Sequence, residues 1–406
     1  QLSQNFYYKT INDTTEHLIF NTWNIHPGMR YKLLDIALSP DENYFFASFD
    51  KNGEEYPFIK VYDIENEKWL KDSIPNCFNG TINWTSNSKG FFYKYNSGDR
   101  NASNATEFEV IKYHALFTSY SADLIIINDK IRNTIEKKIS NTYHASLYTN
   151  NSSKRLYCIP NNGFGLDIDA YYISNDELLN PNKQWKKLYS KTDSVYDFKE
   201  SNNGYYFISA KGNGFKSLRY TSYNNPDFAN SKIIFPEDSI WQLEYMDETK
   251  SYILVSYSKY GFLNKTVFID KLTGKEIKVS AIENFDRYSI GTMGTKTDEC
   301  IFYIKPVNKP QSGQLLNIAN NTLSDDDFWI THNQSPIAGS DEMVTEIIEV
   351  PSYDSTLVPM SITRNKNTKL DGNNVCILWG YGAYGIIGKE NYFNEFNISN
   401  NLLVQR

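Results

Sequence analysis

Short apolar runs of four to six residues, separated by Ser, Pro, Asp, Asn and Gly, recur along most of the chain. Runs of this length, rich in Tyr, Phe, Ile and Val and bounded by turn residues, predict strands. Phe6–Tyr8 and His17–Thr22 form a first pair around Asn12-Asp13. A fuller unit follows: a strand over Leu34–Leu38, the turn Ser39-Pro-Asp-Glu-Asn43, a strand over Tyr44–Phe49 and another over Pro57–Tyr62, closed by Asp63–Glu67. The same order of run, turn and run restarts at Ile82, His144, Val195, Ile240 and Tyr288.

Six such units, at intervals of roughly 45 to 60 residues, have the spacing of four-stranded propeller blades. One small sheet cannot cover both its faces, and radial stacking covers them while shortening the exposed edges. With the N-terminal pair as a partial first blade, the pattern predicts a mainly β chain with a seven-bladed propeller over residues 1–330. A pair of β-sandwiches is the alternative, although sandwiches need not repeat at a fixed period. A polar stretch over 331–342, with Pro336 and Gly339, reads as a linker.

Beyond it the pattern changes. Val344–Val350 and Leu357–Thr363 predict strands around the turn Ser352–Ser355, and Asn365–Asn374 a polar loop. Val375–Trp379 is an apolar run of the kind buried on both faces, and it breaks into Gly380-Tyr-Gly-Ala-Tyr-Gly385. Asn391–Leu403 predicts the start of a helix or an extended excursion. Three strands without covering helices do not make a finished domain, so 343–406 is expected to be the first part of a longer one.

Composition narrows the function classes. A net charge of −7 and the lack of any basic cluster argue against nucleic acid as a partner. No apolar run approaches the roughly 18 residues that would span a membrane, and Gln1–Phe20 has no signal-peptide pattern. Cys77, Cys158, Cys300 and Cys376 form no C-x-x-C pair and read as reduced, buried small hydrophobes. The sequons at Asn79, Asn101 and Asn397 are of the number that an Asn-rich chain produces by chance.

Complete catalytic motifs are missing: the chain has no G-x-S-x-G, H-E-x-x-H or phosphate-binding P-loop. Gly380–Gly385 has G-x-G-x-x-G spacing, but its tyrosines crowd the turn and no amphipathic helix opens after it to meet a pyrophosphate. His17, His26, His114, His144 and His332 are dispersed and read as surface or satisfied core histidines. Asp325-Asp-Asp327 lacks alternating ligand spacing and reads as a solvated loop, not a metal site. Tyr381, between two glycines at a strand end, offers either a phenol donor to a cleft or a ring that only packs.

Taken together, Val344–Thr363, Lys369-Leu-Asp-Gly372 and Leu378-Trp-Gly-Tyr-Gly-Ala-Tyr-Gly385 resemble the opening of the catalytic domain of the prolyl oligopeptidase family of serine peptidases. Ala37–Tyr44, Ile82–Tyr93 and Asp270–Lys275 are similar to that family's blades in order and spacing. The resemblance implies a seven-bladed propeller capping an α/β-hydrolase domain, and cleavage of short peptides with the propeller as a size filter. It implies that Tyr381 helps to bind the oxyanion and that Tyr384 lines the substrate pocket. It places the nucleophilic Ser, the Asp and the His beyond Arg406, so the chain alone is expected to be inactive. Gly382-Ala-Tyr-Gly385 is similar to the oligopeptidase B branch, which cuts after basic residues, whereas prolyl-specific members usually have Phe at position 384. It further implies a monomer that needs no cofactor, takes an oligopeptide as partner and meets neither nucleic acid nor membrane. Cysteine usage and family habit lean towards the cytoplasm, with periplasm or secretion open. A stand-alone propeller that binds peptides without chemistry is the competing reading.

Overall fold

The computed structural model describes residues 5–8, 15, 17–25, 31–51, 53, 56–78, 83–96, 109–127, 144–148, 154–161, 169–178, 180, 183–201, 203–212, 215–261, 263–305, 312–327 and 342–378. Among them lie six four-stranded antiparallel sheets, at 31–74, 83–127, 144–189, 195–235, 242–277 and 288–327. We call them sheets one to six. Each is a meander in which strands pair in chain order. Two further sheets have two strands: Asn5–Tyr8 with His17–Asn21, and Met343–Pro351 with Leu357–Asn365. The N-terminal pair forms a two-stranded sheet, and the four-stranded sheets among the described residues number six.

Burial explains which strands the sequence makes visible. The second strands of sheets one, two, four and five are covered on both faces: Gly204–Ser209 is buried throughout, and Tyr44–Lys51 is buried except at its ends. Such strands read as continuous apolar runs. The fourth strands, among them Lys232–Phe235 and Glu276–Ile277, are half exposed and carry no clear pattern, so the sequence reading passes over them.

The turns before the second strands of sheets one and two are built alike. In sheet one Ser39 N donates to Tyr44 O at 2.8 Å, Ser39 Oγ donates to Asp41 Oδ1 at 2.6 Å, and Glu42 adopts φ 65°. Sheet two repeats this with Thr85 N to Gly90 O at 2.8 Å and Ser88 at φ 58°. Gly90 is required by close approach. A Cβ there would lie 2.1 Å from the His114 carbonyl oxygen and 2.8 Å from the Tyr113 ring.

The chain divides into two compact units, residues 1–195 with 224–230, and residues 196–223 with 231–406. In the first, sheets one and two share a core in which Phe46, Val61 and Ile74 meet Trp84, Phe91 and Tyr93. The Trp84 indole N–H crosses to Ala37 O at 3.0 Å. Phe92 and Ile126 of sheet two pack with Leu156 and Ile173 of sheet three. The N-terminal pair lies against sheet one through Phe20, whose ring centroid is 5.2 Å from that of Trp69. In the second unit, Leu254 and Phe268 of sheet five share a core with Ile290 and Phe302 of sheet six.

Three sequence expectations are corrected. Val375–Leu378 belongs to no sheet, and Val375 and Leu378 are 96% and 85% exposed. A strand buried on both faces needs a paired neighbour and apolar cover, and the described residues supply neither. Cys376 is consequently exposed, whereas Cys77, Cys158 and Cys300 are buried as expected. Asp325–Asp327 is not loop but the end of strand Thr322–Asp327, the fourth of sheet six, with Asp327 opposite Gln314. The expected linker over 331–342, apart from residue 342, and the excursion at 391–403 lie outside the described residues.

Candidate functional site

Upstream of Gly380–Gly385 in the sequence, Met343–Pro351 and Leu357–Asn365 form a hairpin that pairs over nine residues in unbroken register. Its turn is closed by Ser355 N to Ser352 O at 2.9 Å, with Ser355 at φ 68°. Across the strands the Thr345 and Thr363 hydroxyls meet at 3.0 Å, and Arg364 Nε donates to Glu346 Oε1 at 3.3 Å. Such cross-strand pairs fix the register of a ribbon with little core of its own. Val344, Ile348, Val350, Leu357 and Val358 remain exposed. After the hairpin, Asn374 Nδ2 donates to Lys369 O at 2.6 Å and Gly372 turns at φ 81°, leading the chain to Leu378. Tyr381 and Tyr384, the two residues singled out from the sequence, lie outside the described residues.

The hairpin is tied to sheet five. Tyr260, in the connection between that sheet's second and third strands, donates its hydroxyl to Glu349 Oε1 at 2.5 Å. Its backbone is left-handed at φ 59°, an uncommon choice for a bulky residue, and Gly261 follows at φ 82°. Lys259 Nζ lies 4.7 Å from the Tyr260 ring centroid.

Sequence spacing gave no sign of the buried charge cluster between sheets one and two. His114 is fully buried. Its Nδ1 lies 2.8 Å from Asp123 Oδ1 and its Nε2 3.0 Å from Asp72 Oδ1. Asp72 Oδ1 also accepts from Phe117 N at 2.7 Å, and Asp123 Oδ2 from the Tyr93 hydroxyl at 2.7 Å. Burial works against charge on the ring, but hydrogen bonds to Asp123 and Asp72 outweigh it and carry the pKa from 6.5 up to about 9. With both nitrogens facing carboxylates, none is left to activate a nucleophile. His114 is a satisfied core histidine, as its place in the sequence predicts. His17 lies on an exposed strand, stacked on Tyr8.

Among the described residues no group of three or more His, Cys, Asp and Glu side chains is arranged to hold a metal ion. One buried acid elsewhere is held by a lysine: Glu248 lies 2.8 Å from Lys271 Nζ, and burial raises its pKa against the pull of that ammonium.

Residues 1–305 match the family profile of the prolyl oligopeptidase N-terminal beta-propeller domain. The chain belongs to the prolyl oligopeptidase family. Its six four-stranded sheets among the described residues are blades of a propeller of that family. Prolyl oligopeptidase A of Galerina marginata is 25% identical over 374 residues, which is 86% of this chain and 48% of that protein. The chain spans about half the length of the curated relatives it matches. Among solved structures, a prolyl endopeptidase studied for inter-domain dynamics in catalysis and specificity shares the fold, with a TM-score of 0.78 and 19% identity over 96% of this chain and 55% of its own. Prolyl oligopeptidase B from Galerina marginata, bound to a 35mer hydrolysis and macrocyclization substrate, aligns with a TM-score of 0.75 and 17% identity, covering 92% of this chain and 52% of that one.

Proposed function

We propose that the protein is a serine-type oligopeptidase whose propeller, residues 1–330, admits short peptides to a hydrolase domain that begins at 343. One juxtaposition carries this reading: a propeller-domain match over 1–305, followed by a hairpin whose apolar residues Val344, Ile348 and Val350 stand exposed. Such a surface is the start of a sheet that further strands and helices cover. On this reading the pair Asn5–Tyr8 and His17–Asn21 belongs to a seventh blade, and 331–342 links the two domains.

In the reaction a serine supplied beyond Arg406, activated by a histidine and an aspartate, attacks the scissile carbonyl and forms an acyl-enzyme that water then releases. The Tyr381 hydroxyl donates to the oxyanion, and Tyr384 lines the pocket beside it. Cleavage after proline or after basic residues is decided by the pocket as a whole, of which Tyr384 is one wall.

The test uses the full-length protein with fluorogenic Gly-Pro and Arg-Arg substrates. Tyr381→Phe is expected to lower kcat by roughly 10²–10³ with little change in KM, the measured scale for loss of one oxyanion donor. A kcat within threefold of wild type removes Tyr381 from this role. If neither substrate is cleaved and no serine reacts with a fluorophosphonate, the peptidase reading falls and a peptide-binding module takes its place.

A further inference from the structure

Sheet four holds an arginine that meets no carboxylate among the described residues. Arg219, on the strand Ser217–Ser222, is nine-tenths buried. Its Nε donates to Ser217 Oγ at 3.0 Å and its Nη2 to Lys211 O at 3.2 Å. A guanidinium carries five N–H donors, and both of these acceptors are neutral. Among the described residues every ion pair involves other groups, and none brings a carboxylate to Arg219. Lys211 and Lys216 lie in the same connection, Lys216 with its Nζ 4.8 Å from the centroid of the Tyr196 ring. The guanidinium donors left over are not sealed from solvent, so an anion can reach them. A carboxylate supplies charge-assisted acceptors, and the planar fork is suited to grip it.

The fold says where that anion would come from. Arg219 stands beside the connection between the second and third strands of sheet four, Gly204–Ser209 and Ser217–Ser222. In sheet five the connection of the same rank carries Tyr260, which reaches Glu349 of the 343–365 hairpin. Both sheets belong to the same compact unit and are meanders of the same order. In stacked propeller blades, connections of equal rank emerge at one end. Arg219 is therefore at the end of the sheets on which the hairpin docks, where a substrate passing to the hydrolase domain is met.

We propose that Arg219 binds a carboxylate of the peptide substrate, either an acidic side chain or the free C-terminus, and so selects acidic over neutral peptides. The chain as a whole, at net charge −7, repels such peptides, so a local cationic site is what would retain them. The proposal rests on the oligopeptidase reading, and its test separates the two.

Four peptides of one length, with Glu or Gln at one position and a free or amidated C-terminus, are offered to the full-length protein. Affinity is read by competition against a fluorescent peptide, and cleavage by product release. Wild type is expected to bind a carboxylate-bearing peptide about tenfold more tightly than its neutral twin, the scale of one charge-assisted hydrogen bond. The pair that shows this preference identifies the source of the carboxylate. Arg219→Gln abolishes the preference and leaves the neutral amide within twofold. Equal binding of all four peptides by wild type, or equal weakening of all four by Arg219→Gln, overturns the proposal. Should Arg219→Gln fail to fold, Arg219→Lys decides: a reduced preference supports the planar fork, and an unchanged one overturns it. If no peptide is cleaved but the preference persists in binding, the oligopeptidase reading fails and the carboxylate site stands.

Discussion

Replacing His114 with glutamine leaves Asp72 and Asp123 buried in one space between sheets one and two with no cation between them. Two routes give the magnitude. Removing one partner of a buried ion pair costs about 3–5 kcal/mol, because the remaining charge is stranded away from water. Independently, a pKa raised from 6.5 to about 9 corresponds to about 3 kcal/mol favouring the folded state while the ring is charged in both states. The sign follows from the direction of the shift. The folded value lies above the unfolded one, so the contribution is complete below pH 6.5, declines by about 1.4 kcal/mol per pH unit through the interval, and is gone above about pH 9. Urea unfolding followed by tryptophan fluorescence at pH 6, 7, 8 and 9 reads this directly, since Trp84 is buried in the core between the same two sheets. Wild type should exceed His114→Gln by about 3 kcal/mol or more at pH 6, and the gap should shrink towards pH 9. A gap below 1 kcal/mol at pH 6, or one that stays constant over the range, refutes the view that a charged imidazolium joins the two sheets.

Two further outcomes follow from packing. Gly90→Ala places a Cβ 2.1 Å from a backbone carbonyl oxygen that cannot swing away, and should destabilise the chain by about 2 kcal/mol or more; an unchanged urea midpoint would contradict it. In the native 406-residue chain Cys376 should react with a thiol reagent within minutes. Cys77 and Cys300 should wait for unfolding, since burial drives both thiols up, Cys300 to about 12. Fast reaction of more than one thiol before denaturation would be the contrary result.

The sequence made inner strands legible where both of their faces are covered, as in Tyr44–Lys51 and Tyr252–Lys259. Turns were legible because Ser39, Asp41 and Thr85 bond to nearby backbone and side chains. The fourth strands were not, since an exposed edge does not constrain which residues occupy it. Val375–Leu378 shows the opposite failure, an apolar run that reads as a buried strand but lies exposed. The His114 cluster was hidden by distance, because Asp72 comes from the neighbouring sheet, 42 residues away. Arg219 could have been noticed only as a cation within a third strand, a signal too common to act on without its acceptors. Tyr381 was read from spacing and family likeness and Tyr384 from likeness alone, and the kinetic test above decides the role of Tyr381.

The strictly sequential pairing of strands has a consequence for synthesis. No strand in sheets one to six waits for a partner made much later, so each sheet can close as its roughly 45 residues leave the ribosome, within several seconds at the usual rate of about 5–20 residues per second. During that interval Phe46, Val61 and Ile74 of sheet one face water until Trp84 and Phe91 arrive. A pause in translation after residue 74 would prolong that exposure, and a pause after residue 127 would come once the cover is made.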